Sequence, residues 1–348
     1  MPRRKPLTII LSVLVTAGLL AWLFSSIPLR DLWTALREIH IPWLLVYFLI
    51  SLAATAAKAA RSKWLLAPEK ISWPDMFLVT FVRNGFEDLL PARLGSLSYV
   101  VVLNRNLGLP FESAASTLVV MLVFDFLTLS PFVLAALFLA GTAANILPGP
   151  LLVGLALAYF LVVLALALKI VPATRFFVGA CRRAARVFGA ANRPAVHKAL
   201  AKLDETVASL SVIHARRIAF PLFLLSSLIR LLKYLSLYSL LLAILRHLGI
   251  GMAEIALWKV VLAITAAELT SLLPVKGIAD FGTWESAWVL AFALMGLDRA
   301  TAVLSGFSVH LVTNLFEYGF AALALLALSF RRSGRKSGVA STLSTFGT

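Results

Sequence analysis

Arg83 and Glu87 stand four residues apart inside an apolar stretch, and Arg230 and Lys233 stand three apart inside another. On a helix either spacing puts both side chains on one face. His310, Thr313, Asn314 and Glu317 follow the i, i+3, i+4, i+7 spacing of a single polar stripe, and Thr265 with Glu268 makes a shorter one. Asp125 is a lone carboxylate in a run of Leu, Val and Phe. A charge in hydrocarbon costs at least about 2.5 kcal/mol, so such groups mark either ion pairs or a path for a polar substrate. Two chemistries are open. In one, the groups pair internally, Arg83 with Glu87 or Asp125 with Arg230, and hold helices together. In the other, Arg83, Arg93, Arg230, Lys233 and Lys276 form a cationic interior whose natural counter-ion is a phosphate. Glu87, Asp88, Asp125, Glu268, Asp280, Glu285, His310 and Glu317 then balance charge or carry a proton. Lys58, Arg61 and Lys63 crowd one end of a span, where long side chains reach out to the interface.

Two of these cations sit in a repeated text. Leu89-Leu90-Pro91-Ala92-Arg93-Leu94-Gly95 and Leu272-Leu273-Pro274-Val275-Lys276-Gly277 both read Leu-Leu-Pro-x-basic, with a glycine within two residues. Each lies inside a broken apolar region, 75–104 or 255–296. Pro91, Gly95, Pro274, Gly277 and Gly282 interrupt these regions. The freed backbone survives at membrane depth only if protein buries it or it lines a wet cavity. Transporters built from inverted repeats hold substrate where two broken helices meet near the midplane. The repeated text therefore predicts a site at the two breaks, and an inverted repeat relating approximately 1–171 to 218–330.

The elements that must position these groups follow from composition. The chain has 348 residues, 61% of them hydrophobic and 14% charged, with a mean hydropathy of +0.94. A soluble domain is about 45–50% apolar and about 25% charged. An all-α polytopic membrane protein is the class that fits. Six full spans are expected: 7–27, 43–60, 113–141, 151–171, 218–245 and 300–330. The first also resembles a secretory signal, but it is long and no small-x-small cleavage site follows it. Lys and Arg number 32 against 16 Asp and Glu, which in a membrane chain reflects positive-inside loops rather than nucleic-acid binding. The basic segment 172–217 is expected in the cytoplasm, amphipathic in part and lying on the anionic leaflet, as are both termini. With those ends fixed, 75–104 must enter and leave on one side, as a re-entrant hairpin. Region 255–296 must cross zero or two times, and counting leaves both open. Residues 1–330 read as one transmembrane domain and 331–348 as a disordered tail rich in Ser, Thr and Gly.

Other motifs fall away. Asp280-Phe281-Gly282 spells the kinase magnesium motif without the loops that give it meaning. No Walker-type loop and no HExxH pair occur, and Cys181 is alone, so no cofactor, metal or disulfide is expected.

Three stretches carry a resemblance: Lys58-x-x-Arg61-x-x-Trp64-Leu65-Leu66, Asn84 through Gly95, and Leu273-Pro274 through Asp280-Phe281-Gly282-Thr283-Trp284-Glu285. They resemble the lysylphosphatidylglycerol synthase transmembrane-region family, also called flippase-like integral membrane proteins, over roughly 10–330. The resemblance implies a lipid-translocating or lipid-linked-glycan role in a prokaryotic cytoplasmic membrane. Ser96 and Tyr99 stand where members commonly have Glu and Arg, and Ala279-Asp280 where many are Gly-rich, which leaves the headgroup open. The stretch after 330 is too short for an aminoacyl-transferase domain, so lipid lysylation by this chain is not expected. The expected function is translocation of an anionic lipid or polyprenyl-phosphate-linked lipid, with a separate glycosyltransferase or lipid-modifying enzyme as a candidate partner. The alternatives are a membrane enzyme acting on headgroups, with Glu285 and His310 as its acid–base pair, and a non-catalytic partner subunit.

Overall fold

The computed structural model describes residues 18–23, 25, 28–67, 69–87, 89, 91–140, 149–190, 193–215, 218–270, 273 and 277–345. Among them the chain is helical throughout, with no strand. The expected first span lies outside the described residues except for a helical stretch at 18–23. Helix α1 (Leu29–Arg37) follows, then α2 (Ile41–Leu65), α3 (Trp73–Glu87), α4 (Leu97–Leu107), α5 (Phe111–Leu127), α6 (Leu129–Ala140), α7 (Gly149–Leu168), α8 (Ile170–Val187), α9 (Pro194–Ala215), α10 (Ala219–Leu245), α11 (Leu257–Thr270), α12 (Thr283–Leu294) and α13 (Arg299–Thr345).

Four helical stretches are long and apolar enough to span a membrane: Ile41–Leu65, Phe111–Ala140, Ala219–Leu248 and Arg299–Arg331. The expected spans at 43–60, 113–141, 218–245 and 300–330 fall on these. The expected span 151–171 corresponds to α7, which bends by 83° into α8 and makes at most a fifth. The expected count of six is therefore not reached among the described residues. Helix α13 continues to Thr345, into the tail expected to be disordered.

Local chemistry explains several boundaries. His40 Nδ1 accepts the Trp43 N–H at the start of α2, and Pro42 fills an early position where its missing N–H costs nothing. Ser72 accepts the Asp75 N–H and donates to the Asp75 carboxylate at the start of α3. Gly108, at φ +73°, ends α4 in the left-handed conformation that favours glycine. Asp298 caps α13 by accepting the Thr301 N–H at 2.9 Å.

Both irregular regions are helix–break–helix hairpins. In the first, α3 and α4 pack on each other across the turn Pro91–Ser96; in the second, α11 and α12 pack across 271–282. The arms of the second are 14 and 12 residues, about 21 and 18 Å at 1.5 Å per residue. A hydrocarbon core is about 30 Å thick, so the arm lengths favour a re-entrant hairpin over two full spans.

The apolar core divides into two clusters, each around one hairpin. Met76, Val79, Tyr99, Leu103, Met121 and Leu210 belong to the first. Tyr234, Leu241, Ile264, Trp288, Phe292 and Val309 belong to the second. Long helices α2, α10 and α13 run between them, α2 against α10 and α13 against α3. The last contact is close: a Cβ on Gly85 would lie 2.4 Å from Ala321 Cβ and 2.8 Å from the Glu317 carbonyl oxygen. Small residues give membrane helices this approach, since lipid offers no hydrophobic drive to bring them together.

The basic segment 172–217 forms α8 and α9. Helix α8 buries Ile170, Val171 and Val178 and exposes Phe176 and Phe177 with Arg182, Arg183 and Arg186, the two-sided character of an interfacial helix. Helix α9 packs on α5 through Thr206, Val207, Leu210 and Ile213, so it belongs to the core. Lys202 bridges Glu112 at 3.2 Å and Glu205 at 2.6 Å, and the bonds to Glu205 and Glu112 hold its ammonium above the ordinary lysine range.

Candidate membrane-embedded polar site

One residue of α5 gathers the arginines. Asp125 lies one turn before Leu129, where the 30-residue span passes from α5 into α6. Its carboxylate meets Arg61 at 2.6 Å and Arg83 at 3.5 Å. Its backbone carbonyl accepts from Arg230 at 2.5 Å. Arg61 also donates to Ser226 Oγ at 2.9 Å. Helices α2, α3, α5 and α10 are thus tied at one level. Arg61 is 1% exposed and Arg83 4%. Guanidinium groups this deep require paired carboxylates, because an isolated buried charge costs several kcal/mol.

Glu268 on α11 makes the second knot. It accepts from Arg230 at 2.7 Å and from Lys233 at 2.6 Å. The i,i+3 cations of α10 therefore share one carboxylate. Tyr234 packs its ring near the Arg230 guanidinium and meets Thr265 Oγ1 at 3.0 Å.

The third knot joins α12 to α13. Glu285 is fully buried, and one of its oxygens lies 2.6 Å from His310 Nδ1. The other accepts the Gly282 N–H at 2.7 Å and so caps α12. The imidazole sits beside Phe281 (ring centroids 4.6 Å apart) and Trp284 (5.0 Å). The chain reaches this cap through an unusual backbone. Ala279 and Asp280 have φ of +51° and +63°, and Gly282 has +86°. Two non-glycine residues in the left-handed region cost about 1–2 kcal/mol each, and Thr283 Oγ1 helps hold the turn by donating to the Asp280 carbonyl at 3.0 Å.

Beside the second and third knots, bordered by Glu268 and Lys233 on one side and His310 and Trp284 on the other, lies a cavity of about 140 Å³, room for several waters. Helix α2 lines it with Tyr47 and Lys58, and α3 with Asn84 and Glu87. Helix α10 adds Lys233 and α11 adds Glu268. The second break contributes Asp280, α12 contributes Trp284, and α13 contributes His310, Thr313 and Glu317. The three polar-stripe residues at i, i+3 and i+7 thus face the cavity, while Asn314 is buried away from it. A separate cavity of about 340 Å³ lies between α5, α7, α9 and α10, and apart from His214 its wall is hydrocarbon.

Of the five cations expected to hold a headgroup, Arg83 and Arg230 sit in internal ion pairs and Lys233 lines the cavity. The Arg93 side chain and Lys276 lie outside the described residues, as do Asp88, Pro274 and the Pro91 side chain. Arg83 pairs with Asp125, the partner that spacing alone does not name. Lys58 and Arg61 do not reach out to an interface: Lys58 lines the cavity and donates to Asn84 Oδ1 at 3.0 Å, and Arg61 is buried on Asp125. Lys63, near the end of α2, donates to the Ile71 carbonyl and lies over the Trp73 ring. Gly95 is required by packing, since a Cβ there would fall 1.5 Å from the Phe86 carbonyl oxygen. Gly277, at φ −60°, is not in the left-handed conformation that favours glycine.

The charge balance of the cavity wall differs from that of a purely cationic site. Among the described residues the cavity wall carries Lys58 and Lys233 against Glu87, Glu268, Asp280 and Glu317. No cluster of three or more His, Cys, Asp or Glu arranged for a metal occurs among the described residues. The family model described as the lysylphosphatidylglycerol synthase TM region matches residues 9–331. No curated protein and no solved structure matches the chain.

Proposed function

The chain belongs to the lysylphosphatidylglycerol synthase transmembrane family, and on that premise we propose that it moves a phosphate-bearing lipid headgroup between the leaflets of a prokaryotic cytoplasmic membrane. The observation that carries this reading is the polar cavity at the junction of both broken hairpins, with Lys58 and Lys233 in its wall. Substrate sites at the meeting of discontinuous helices are a recurring solution in transporters. Lys58 and Lys233 hold the phosphate as compact charges with rotatable donors. The carboxylates and Asn84 face the hydroxyls or amine of the rest of the headgroup. The acyl or polyprenyl chains stay in the bilayer while the headgroup passes.

The substrate class is an anionic phospholipid or a polyprenyl-phosphate-linked lipid, taken from or handed to a separate lipid-modifying enzyme or glycosyltransferase. Basic residues of α8 and α9 support a cytoplasmic placement of that region and of both termini. The chain does no chemistry on the lipid. The Glu285–His310 contact at 2.6 Å favours a second reading, a headgroup-modifying enzyme with His310 as base and Glu285 orienting it.

Leaflet exchange in proteoliposomes tests the proposal. Fluorescent phosphatidylglycerol and a polyprenyl phosphate are loaded in parallel, with the outer leaflet quenched. Exchange of at least one, returned chemically intact and lost when Lys58→Gln and Lys233→Gln are combined, is the expected result. Exchange that survives the double substitution removes the two lysines from the site. A lipid recovered altered, with Glu285→Gln inactive, moves the protein to the enzyme class.

A further inference from the structure

We infer that Glu285 and His310 form a proton-carrying pair, so that each anionic headgroup crosses with a proton; this rests on the translocation reading above. The first reason is charge. Among the described residues the cavity wall holds Glu87, Glu268, Asp280 and Glu317 against Lys58 and Lys233, and Arg230 offsets Glu268 from behind the wall, so carboxylates still outnumber cations by one. An incoming phosphate adds negative charge beside these carboxylates, and like charges repel more strongly there than in bulk water. A proton taken up with the headgroup removes the conflict. It also cancels the work of moving a bare charge through a membrane potential.

The second reason is position. His310 is in the cavity wall, and Glu285 lies behind it, fully buried. The described contacts place the imidazole between the carboxylate and the cavity, with Nδ1 2.6 Å from the Glu285 oxygen. A proton shared by this pair leaves it neutral overall, whether it rests on carboxylate or ring. Loss of that proton leaves one buried negative charge. The ring is held by Phe281 and Trp284, so the relay does not depend on a mobile side chain. The charged and titratable groups that share the cavity with His310 are Tyr47 and Lys58 from α2, Glu87 from α3, Lys233 from α10, Glu268 from α11, Asp280 from the break and Glu317 from α13.

The third reason is mechanical. The second Glu285 oxygen accepts the Gly282 N–H, two residues after the strained pair Ala279 and Asp280. A carboxylate stabilises the start of a helix, and protonation weakens that stabilisation. Charge on the pair therefore bears on the geometry of the strained turn at 279–282. One proton enters the pair from water on the side where the headgroup binds. It returns to water on the side where the headgroup leaves.

The test uses the full chain in proteoliposomes with a pH dye in the lumen. Fluorescent phosphatidylglycerol and a polyprenyl phosphate are the probes, each examined with and without an imposed pH difference. One proton per headgroup predicts a leaflet asymmetry of about tenfold per pH unit, because one unit is a decade in proton activity. The lumen pH should shift when a lipid gradient is imposed. In His310→Gln the asymmetry should fall to near unity. The readout is a ratio with and without the gradient, so the variant's basal rate does not enter. Glu285→Gln should behave alike; if losing the cap unfolds it, His310→Asn serves as the second variant. Wild-type exchange that ignores the pH difference and moves no protons overturns the inference and leaves the translocator standing. An undiminished asymmetry in His310→Gln also overturns it. Absence of exchange for both probes at every pH overturns the translocation reading, and the inference with it.

Discussion

The two broken hairpins share a text but are held by different physics. The first is fixed by packing and by charge satisfied within the protein. Gly95 lies against the Phe86 carbonyl, Gly85 lets α13 close on α3, and Arg83 is held on Asp125. The second is fixed by a strained turn and an acid–histidine contact on the cavity wall. Strain in a backbone persists only where surrounding contacts over-determine it, and such places cluster where binding or switching occurs. On that contrast the first hairpin is expected to act as a brace and the second as a moving part. Their arms differ in the same sense. Helix α3 is packed along α13, the longest helix, whereas α12 meets α13 through the Trp288 ring, which lies against Gly306.

The sharpest way to break this contrast is to remove the anchor of the brace. Asp125→Ala leaves Arg61 and Arg83 buried without their carboxylate, which should cost about 3–5 kcal/mol. Thermal melting of the purified protein in detergent measures it, and a loss below about 1 kcal/mol would show that the arginines find other partners or water. Gly95→Ala should cost about 3 kcal/mol, since its Cβ has no room beside the Phe86 carbonyl and the chain must shift. Gly282→Ala should cost less, about 1–2 kcal/mol, for forcing an alanine into positive φ. If the second hairpin is the moving part, Gly282→Ala should slow lipid exchange by more than its stability loss explains, and Gly95→Ala should not. Equal effects of both on rate would erase the distinction.

The smallest effect expected is at the start of α13. Burial works against charge on Asp298, but bonds from the Thr301 hydroxyl and N–H prevail and hold its carboxyl below the ordinary aspartate range. A folded pKa lower than the unfolded one means that this stabilisation is present above about pH 4 and is lost as pH falls through the lower folded value. Asp298→Ala should cost about 1 kcal/mol near neutral pH, with the gap to wild type closing in acid. A constant gap from pH 7 to pH 3 would show that the cap acts through packing rather than charge.

Much of the scaffold is legible in the order of residues alone. Long, predominantly apolar runs mark the spans at 43–60, 113–141, 218–245 and 300–330 even with a few charges inside them, because hydrocarbon admits little else. The two breaks are legible through Pro91, Gly95, Pro274 and Gly282. The three cavity-facing residues of α13 are legible as a stripe, because 3.6-residue periodicity is local. The ion-pair partners are not. Arg61 with Asp125 and Arg230 with Glu268 are separated by 64 and 38 residues, and separations of that order leave no periodic trace. Lys58 reads as an interface residue because nothing near it in sequence reveals that α3 and α13 close over it.

What the sequence determined by itself is that charged groups must lie inside a helical membrane protein, and that the chain must break twice among them. Both conclusions follow from local chemistry, since hydrocarbon solvates neither charge nor unpaired backbone. Which charges neutralise one another and which line a cavity is a matter of distance between helices. Only the packing of α2, α3, α10 and α13 set those distances. It turned Arg61, Arg83 and Arg230 inward as braces and left Lys58, Lys233 and His310 on the wall of the cavity.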